Sequence, residues 1–170
     1  LALARPAWSQ QNFDTVQVSS QQLAPRLYAL FGSGGNMGLL IGDDGAVLID
    51  DQYAPLSDKI KAAIARLTDR PVRFVINTHL HGDHTGGNEA FGKTGAVIVA
   101  HDNVRARLSE PQTVAGYDLE VPAAPAGALP IVTFDDALSL HLNGDRLAAL
   151  HVEAAHTDGD LVLWWEDANV

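Results

Sequence analysis

The 170 residues contain no cysteine and one methionine. No apolar run approaches the ~20 residues that span a bilayer as a helix. The missing thiols exclude disulfides, zinc–thiolate sites and a cysteine nucleophile within this chain, and they leave the compartment open. Basic residues are scarce: 11 Lys and Arg face 21 Asp and Glu, for a formal net charge of −10. Phosphate contact needs clustered Lys and Arg, so nucleic acid is not expected as a partner. What remains is ordinary for a globular protein, with 46% hydrophobic residues and a length that suits one domain with a buried core. No internal repeat is evident.

The first residues, Leu1-Ala2-Leu3-Ala4-Arg5-Pro6-Ala7-Trp8-Ser9, are similar to the end of a signal peptide. Ala7 and Ser9 are small residues at cleavage-site spacing, and Gln10-Gln11 would begin the mature chain. The expectation is a signal-peptide remnant over 1–9, one domain over 10–170, and a periplasmic or secreted location.

Alternation and turn residues predict strands over Phe13–Val18, Arg26–Phe31, Met37–Gly42 and Ala46–Ile49, with Asp43-Asp44-Gly45 as a hairpin turn. Pro55, followed by Leu56, Ile60, Ile64 and Leu67 at helical spacing, predicts a helix over 54–68. Val72–Ile76 is a buried strand, Asn88–Phe91 a short helical turn, Ala96–Val99 a strand and Asp102–Leu108 a helix. Residues 109–130 hold Pro111, Pro122, Pro125 and Pro130 and predict a long loop bordering a substrate cleft. Strands follow over Ile131–Phe134, Ala137–Leu142, Arg146–Val152 and Asp160–Trp165, with a turn at Asn143-Gly144-Asp145.

The chemistry concentrates in residues 77–88, Asn-Thr-His-Leu-His-Gly-Asp-His-Thr-Gly-Gly-Asn, on the loop that leaves the buried strand Val72–Ile76. His79, His81, Asp83 and His84 are all metal-ligand types. A His-x-His pair can aim both rings at one ion, while Asp83 and His84 face a second point nearby. Gly82, Gly86 and Gly87 permit the tight turns this needs.

This segment resembles the His-x-His-x-Asp-His signature of the metallo-β-lactamase superfamily, and the resemblance extends over nearly the whole chain. It implies an α+β fold, the four-layer αββα sandwich, here truncated to its first half and incomplete at the C-terminus. It implies that His79, His81 and His156 (in Ala-His-Thr-Asp-Gly-Asp) hold one zinc ion, with Asp83 and His84 supplying part of a second site. Asp50, at the end of Ala46–Ile49, would support the metal loop from behind by accepting hydrogen bonds, and Asp51 should be the more exposed of the two.

The implied reaction is hydrolysis of a small molecule, with a metal-bound hydroxide attacking an ester, thioester, lactone or β-lactam. Asp83 would orient the nucleophile or help protonate the leaving group. The alternatives are a non-catalytic metal-binding fragment and a mononuclear-iron dioxygenase of the same fold. A truncated sandwich should be inactive alone. It should also leave apolar sheet surface uncovered, favouring self-association.

The remaining histidines carry weaker expectations. His141 alternates with leucines and should face solvent. His151 shares a strand face with Leu147 and Ala149 and should pack. His101 ends a strand ahead of a helix and suits an N-cap. Trp164 and Trp165 should place one ring inside and one outside. Gly34-Gly35-Asn36 suits a plain turn or a flap over the cleft. Asp158 and Asp160 suit turn chemistry around Gly159.

Overall fold

The structure, a computed structural model, describes residues 12–114 and 119–170. The Leu1–Ser9 targeting pattern lies outside these residues.

Four strands open the fold as an antiparallel meander: β1 (Ser19–Ala24), β2 (Leu27–Phe31), β3 (Met37–Leu40) and β4 (Ala46–Ile49). A 3₁₀ turn (Ala54–Leu56) runs into helix α1 (Ser57–Ala65), which returns the chain so that β5 (Val72–Ile76) lies parallel to β4. Two short helices, α2 (Gly82–Thr85) and α3 (Asn88–Gly92), lead to β6 (Val97–His101) and helix α4 (Asp102–Leu108). A small hairpin, β7 (Gln112–Val114) and β8 (Leu119–Val121), precedes β9 (Val132–Phe134), which pairs parallel to β6. The result is a seven-stranded mixed sheet in the order β1-β2-β3-β4-β5-β6-β9. Strands β10 (Ala137–Leu142), β11 (Asp145–Val152) and β12 (Asp160–Trp165) form a separate antiparallel sheet.

Strand β4 shows why the layers stack this way. All four of its residues are buried, because its period-two alternation serves two cores. Ala46 and Leu48 pack with Leu56, Ile60 and Ile64 on the helix side. Val47 and Ile49 pack with Leu142, Leu147, Leu161 and Trp165 of the second sheet. Such a strand has no polar face, as its unbroken apolar sequence requires. The outer face of the second sheet stays open: Leu150 and Val162 are cross-strand partners at 50% and 55% exposure, and Trp164 stands beside them. Trp165 points inward.

Two predicted elements change. The strand expected over Phe13–Val18 is a turn, with Val16 N–H donating to the Phe13 carbonyl. Lys59 Nζ donates to the carbonyls of Phe13, Asp14 and Val16, so those backbone groups are satisfied without a sheet partner. The apolar side chains there pack on the helix-side core instead. The edge strand is the polar β1, held by its pairing with β2. The expected 109–130 loop contains the β7–β8 hairpin, across which Thr113 Oγ1 donates to Glu120.

Candidate metal centre

Where β4 and β5 end side by side, both backbones must leave the sheet, and the site is built from those exits. Asp50 N–H donates to the Ile76 carbonyl at 3.0 Å, the last ladder bond. Asp50 and Gln52 then adopt left-handed conformations, with φ of 57° and 55°. Each such non-glycine residue costs of order 1–3 kcal/mol, and strain of this kind concentrates at functional sites.

The turn points the Asp50 carboxylate at the chain leaving β5. Its Oδ1 accepts Thr78 N–H at 2.7 Å, and its Oδ2 accepts Thr78 Oγ1 at 2.8 Å and His84 Nδ1 at 2.7 Å. Thr78 spends its one hydroxyl proton on Asp50, so it accepts from His79 Nδ1 at 3.0 Å. The Nε2 atoms of His79 and His84 are thereby left as free lone pairs. Burial pushes the Asp50 carboxyl above its ordinary value, against the opposing pull of His84 and Thr78.

Asp51 departs from expectation: it is fully buried, at 0% exposure. The paired left-handed turns fold it inward, where its N–H donates to the His84 carbonyl and its Oδ1 accepts Gly87 N–H at 2.8 Å. A Cβ at Gly87 would stand 2.8 Å from Asp51 Cγ, so only glycine allows this approach. Asp51 Oδ2 has no hydrogen-bond partner among the described residues. Burial, aided by the Asp50 charge, raises the Asp51 carboxyl well above its ordinary value.

His156 arrives from the turn between β11 and β12. Asp160 holds that turn, accepting His156 N–H at 2.6 Å and Thr157 N–H at 3.1 Å. Leu161 N–H donates to the Thr78 carbonyl at 2.8 Å, tying the start of β12 to the His79 loop. The structure therefore brings His79, His81 and His156 together, with one nitrogen from each lying within 4.8 Å of the others. His79 is nearly buried while His81 and His156 are open to solvent. Burial and the neighbouring imidazoles lower the His79 pKa to about 4, and burial and His156 lower that of His81.

Asp83 and His84 form a second pair beside this group, with Asp83 Oδ2 3.5 Å from His84 Nε2. Burial alone would depress His84, but the hydrogen bond and charge of Asp50, then the charge of Asp83, raise it above the ordinary imidazole value. The lowered pKa values of His79 and His81 keep those imidazoles neutral, and neutral imidazoles beside a carboxylate are donor types a zinc-type cation takes.

Sequence patterning passes over two further contributors. Asn77 and Asn88 are fully buried and exchange side-chain hydrogen bonds, and Asn77 Nδ2 also holds the His84 carbonyl. An amide placed directly after an apolar strand had to find such partners. Of the other histidines, His141 is exposed. His101 Nδ1 caps helix α4 by accepting Asn103 N–H at 3.1 Å, and His151 stacks on His101 at 3.7 Å.

The family model of the metallo-beta-lactamase superfamily matches residues 30–170. A hydroxyacylglutathione hydrolase from Polaromonas sp. is 41% identical over 56 residues, covering 32% of this chain and 21% of the relative. A linear primary-alkylsulfatase from Pseudomonas sp. is 28% identical over 161 aligned positions, covering 75% of this chain and 30% of the relative. Among solved structures, a B3 metallo-beta-lactamase with an active-site glutamic acid superposes with a TM-score of 0.78 at 23% identity, covering 94% of this chain and 61% of that one. A metallo-beta-lactamase from Cronobacter sakazakii does so at 0.74 and 23%, covering 86% and 57%. The chain thus spans under a third of those curated relatives and about three-fifths of those structures. Helices, a seven-stranded mixed sheet and a second sheet, stacked as in those structures, are layers of the αββα sandwich. With the family match over residues 30–170, they make this chain a member of the metallo-beta-lactamase superfamily.

Proposed function

We propose that this chain carries the metal-binding part of a zinc-dependent hydrolase acting on an ester, thioester, lactone or β-lactam. The observation behind this reading is the convergence of His79, His81 and His156 within 4.8 Å. Three imidazoles would hold one zinc ion and leave a position for water, and Asp83 with His84 would contribute to a second. Bound zinc supplies a Lewis acid and lowers the pKa of its water to roughly 7.

The chain's own residues supply the orientation. Thr78 and Asp50 hold the His79 and His84 rings with Nε2 turned away from them. Asp160 fixes the turn that carries His156. Asp83, anchored by Gly35 N–H at 3.0 Å, would orient the attacking water or help protonate the leaving group. The relative named as a hydroxyacylglutathione hydrolase supports acyl substrates, and the alkylsulfatase adds sulfate esters to the candidates. Export belongs to the same proposal and rests on the Ala7-Trp8-Ser9 pattern; fractionation of the expressed protein tests it.

The test is elemental analysis after zinc loading, beside turnover on a panel of esters, thioesters, lactones, β-lactams and alkyl sulfates. Because the chain spans 57–61% of those structures, zinc retention is the primary expectation and turnover by these residues alone should be slight. Failure to retain zinc would overturn the reading. Preferential retention of iron with oxygen-dependent turnover would replace it with the dioxygenase alternative.

A further inference from the structure

Gln52 is fully buried and sits in a left-handed conformation that glycine or asparagine would adopt at lower cost. Its carboxamide reaches across to the loop between β2 and β3. There Oε1 accepts Ser33 N–H at 3.2 Å and Nε2 donates to the Gly35 carbonyl. Its own carbonyl accepts Gly87 N–H at 3.1 Å, so the same residue also grips the segment that follows α2.

The clamped loop touches the site directly. Gly35 N–H donates to Asp83 Oδ2 at 3.0 Å. A Cβ at Gly34 would stand 2.6 Å from Asp83 Cβ, and one at Gly35 would run into the His84 ring. The loop backbone therefore lies flat against the Asp83–His84 pair. A side chain at Gly32 would collide with Gln52 Oε1, so this loop and this amide fit only each other.

We infer that Gln52 is a positioning residue for Asp83. By gripping both ends of the Ser33–Gly35 segment, it aims the Gly35 amide at the Asp83 carboxylate and sets where that carboxylate stands. This rests on the metal-hydrolase reading only for what Asp83 then does. The clamp itself is independent of it. Among the described residues Asp83 has few other restraints: it is half-buried, on a four-residue helix. Without the amide it would be free to rotate away from His84.

Two measurements on the full chain test this. Hydrogen exchange of the Ser33 and Gly35 amides should be about tenfold or more faster in Gln52→Met, with β4 and β5 amides unchanged, because only the local opening has become easier. Gln52→Glu keeps the acceptor for Ser33 but loses the donor to Gly35. It should free the Gly35 amide more than the Ser33 amide, and it serves if the methionine variant does not fold. The second measurement is a cycle of Gln52→Met with Asp83→Ala, read as zinc affinity. Gln52→Met should weaken zinc roughly tenfold when Asp83 is present and have little effect when it is absent.

Equal losses in both backgrounds, or unchanged Gly35 exchange, would overturn the positioning role. If the parent protein binds no zinc, the metal reading fails while the exchange result still decides the clamp.

Discussion

His156 Nε2 stands 3.0 Å from His81 Nδ1, across 75 positions of sequence. Two ring nitrogens this close can share one proton or hold one cation, but cannot both be protonated cheaply. Burial and His156 lower the His81 pKa accordingly. As a candidate metal site, the pair depends for its second half on the β11–β12 turn. His156→Ala should weaken zinc by more than the roughly 10–100-fold that loss of a ligand's hydrogen-bond partner costs. Competition against a chromophoric chelator measures this, and unchanged affinity would remove His156 from the site.

Asp50 makes a separable prediction through His84. With Asp50 present, the His84 pKa lies above 6.5 while that of His79 lies near 4. Asp50→Asn removes the charge that raises His84 but leaves its burial, so His84 should then titrate below its ordinary value. In the parent protein, falling pH should protonate His84 before His79. NMR titration of the imidazole Cε1 protons reads each directly. A His84 pKa that does not move in Asp50→Asn would contradict the assigned coupling.

Asp51 predicts the pH dependence of stability. Burial raises its folded pKa above the unfolded value, and the Asp50 charge adds to this. Its neutral form therefore favours folding below the unfolded pKa, and that contribution is lost as pH rises through the folded pKa. Asp51→Asn stays neutral throughout. Its stability relative to the parent should grow with pH. Thermal melts at acid and alkaline pH would show the gap widening; a gap independent of pH would rule the mechanism out.

The sequence made most of this legible where pattern and position coincide. Ala46–Ile49 was readable because four consecutive apolar residues after a turn signal suit a strand buried on both faces, whereas Val72–Ile76 is interrupted by the exposed Arg73 and is fully buried only at Val75 and Ile76. His101 was readable as a cap because it stands between an apolar run and a helix. Asp51 was not. Strand alternation ends at Ile49, and nothing local announces that Asp50 and Gln52 will both turn left-handed. Phe13–Val18 misled for a related reason: its apolar spacing is real, but Lys59, over forty residues away, satisfies the carbonyls that a strand would have paired. The Gln52 clamp escaped because its partners are backbone groups, which leave no trace in residue identity.

The open face of the second sheet carries the last prediction. Leu150, Val162 and Trp164 are all about half exposed on one surface. Clustered apolar exposure of this kind favours association. Sedimentation should show reversible self-association at high concentration, and Trp164→Glu should shift it towards monomer. A monomeric parent over the whole concentration range would show that this surface does not drive assembly.

The two left-handed residues at the end of β4 also set a limit on engineering. Thermostabilisation commonly uses family-average substitutions, and at a left-handed position glycine or asparagine is the residue that removes backbone strain. At position 50 that would relax the backbone and delete the carboxylate that orients His84, and at position 52 it would release the loop that faces Asp83. A stability screen blind to metal binding would therefore select against the site. Gains should instead be sought where no such trade exists, on the polar edge strand β1 and on the exposed surface of α1.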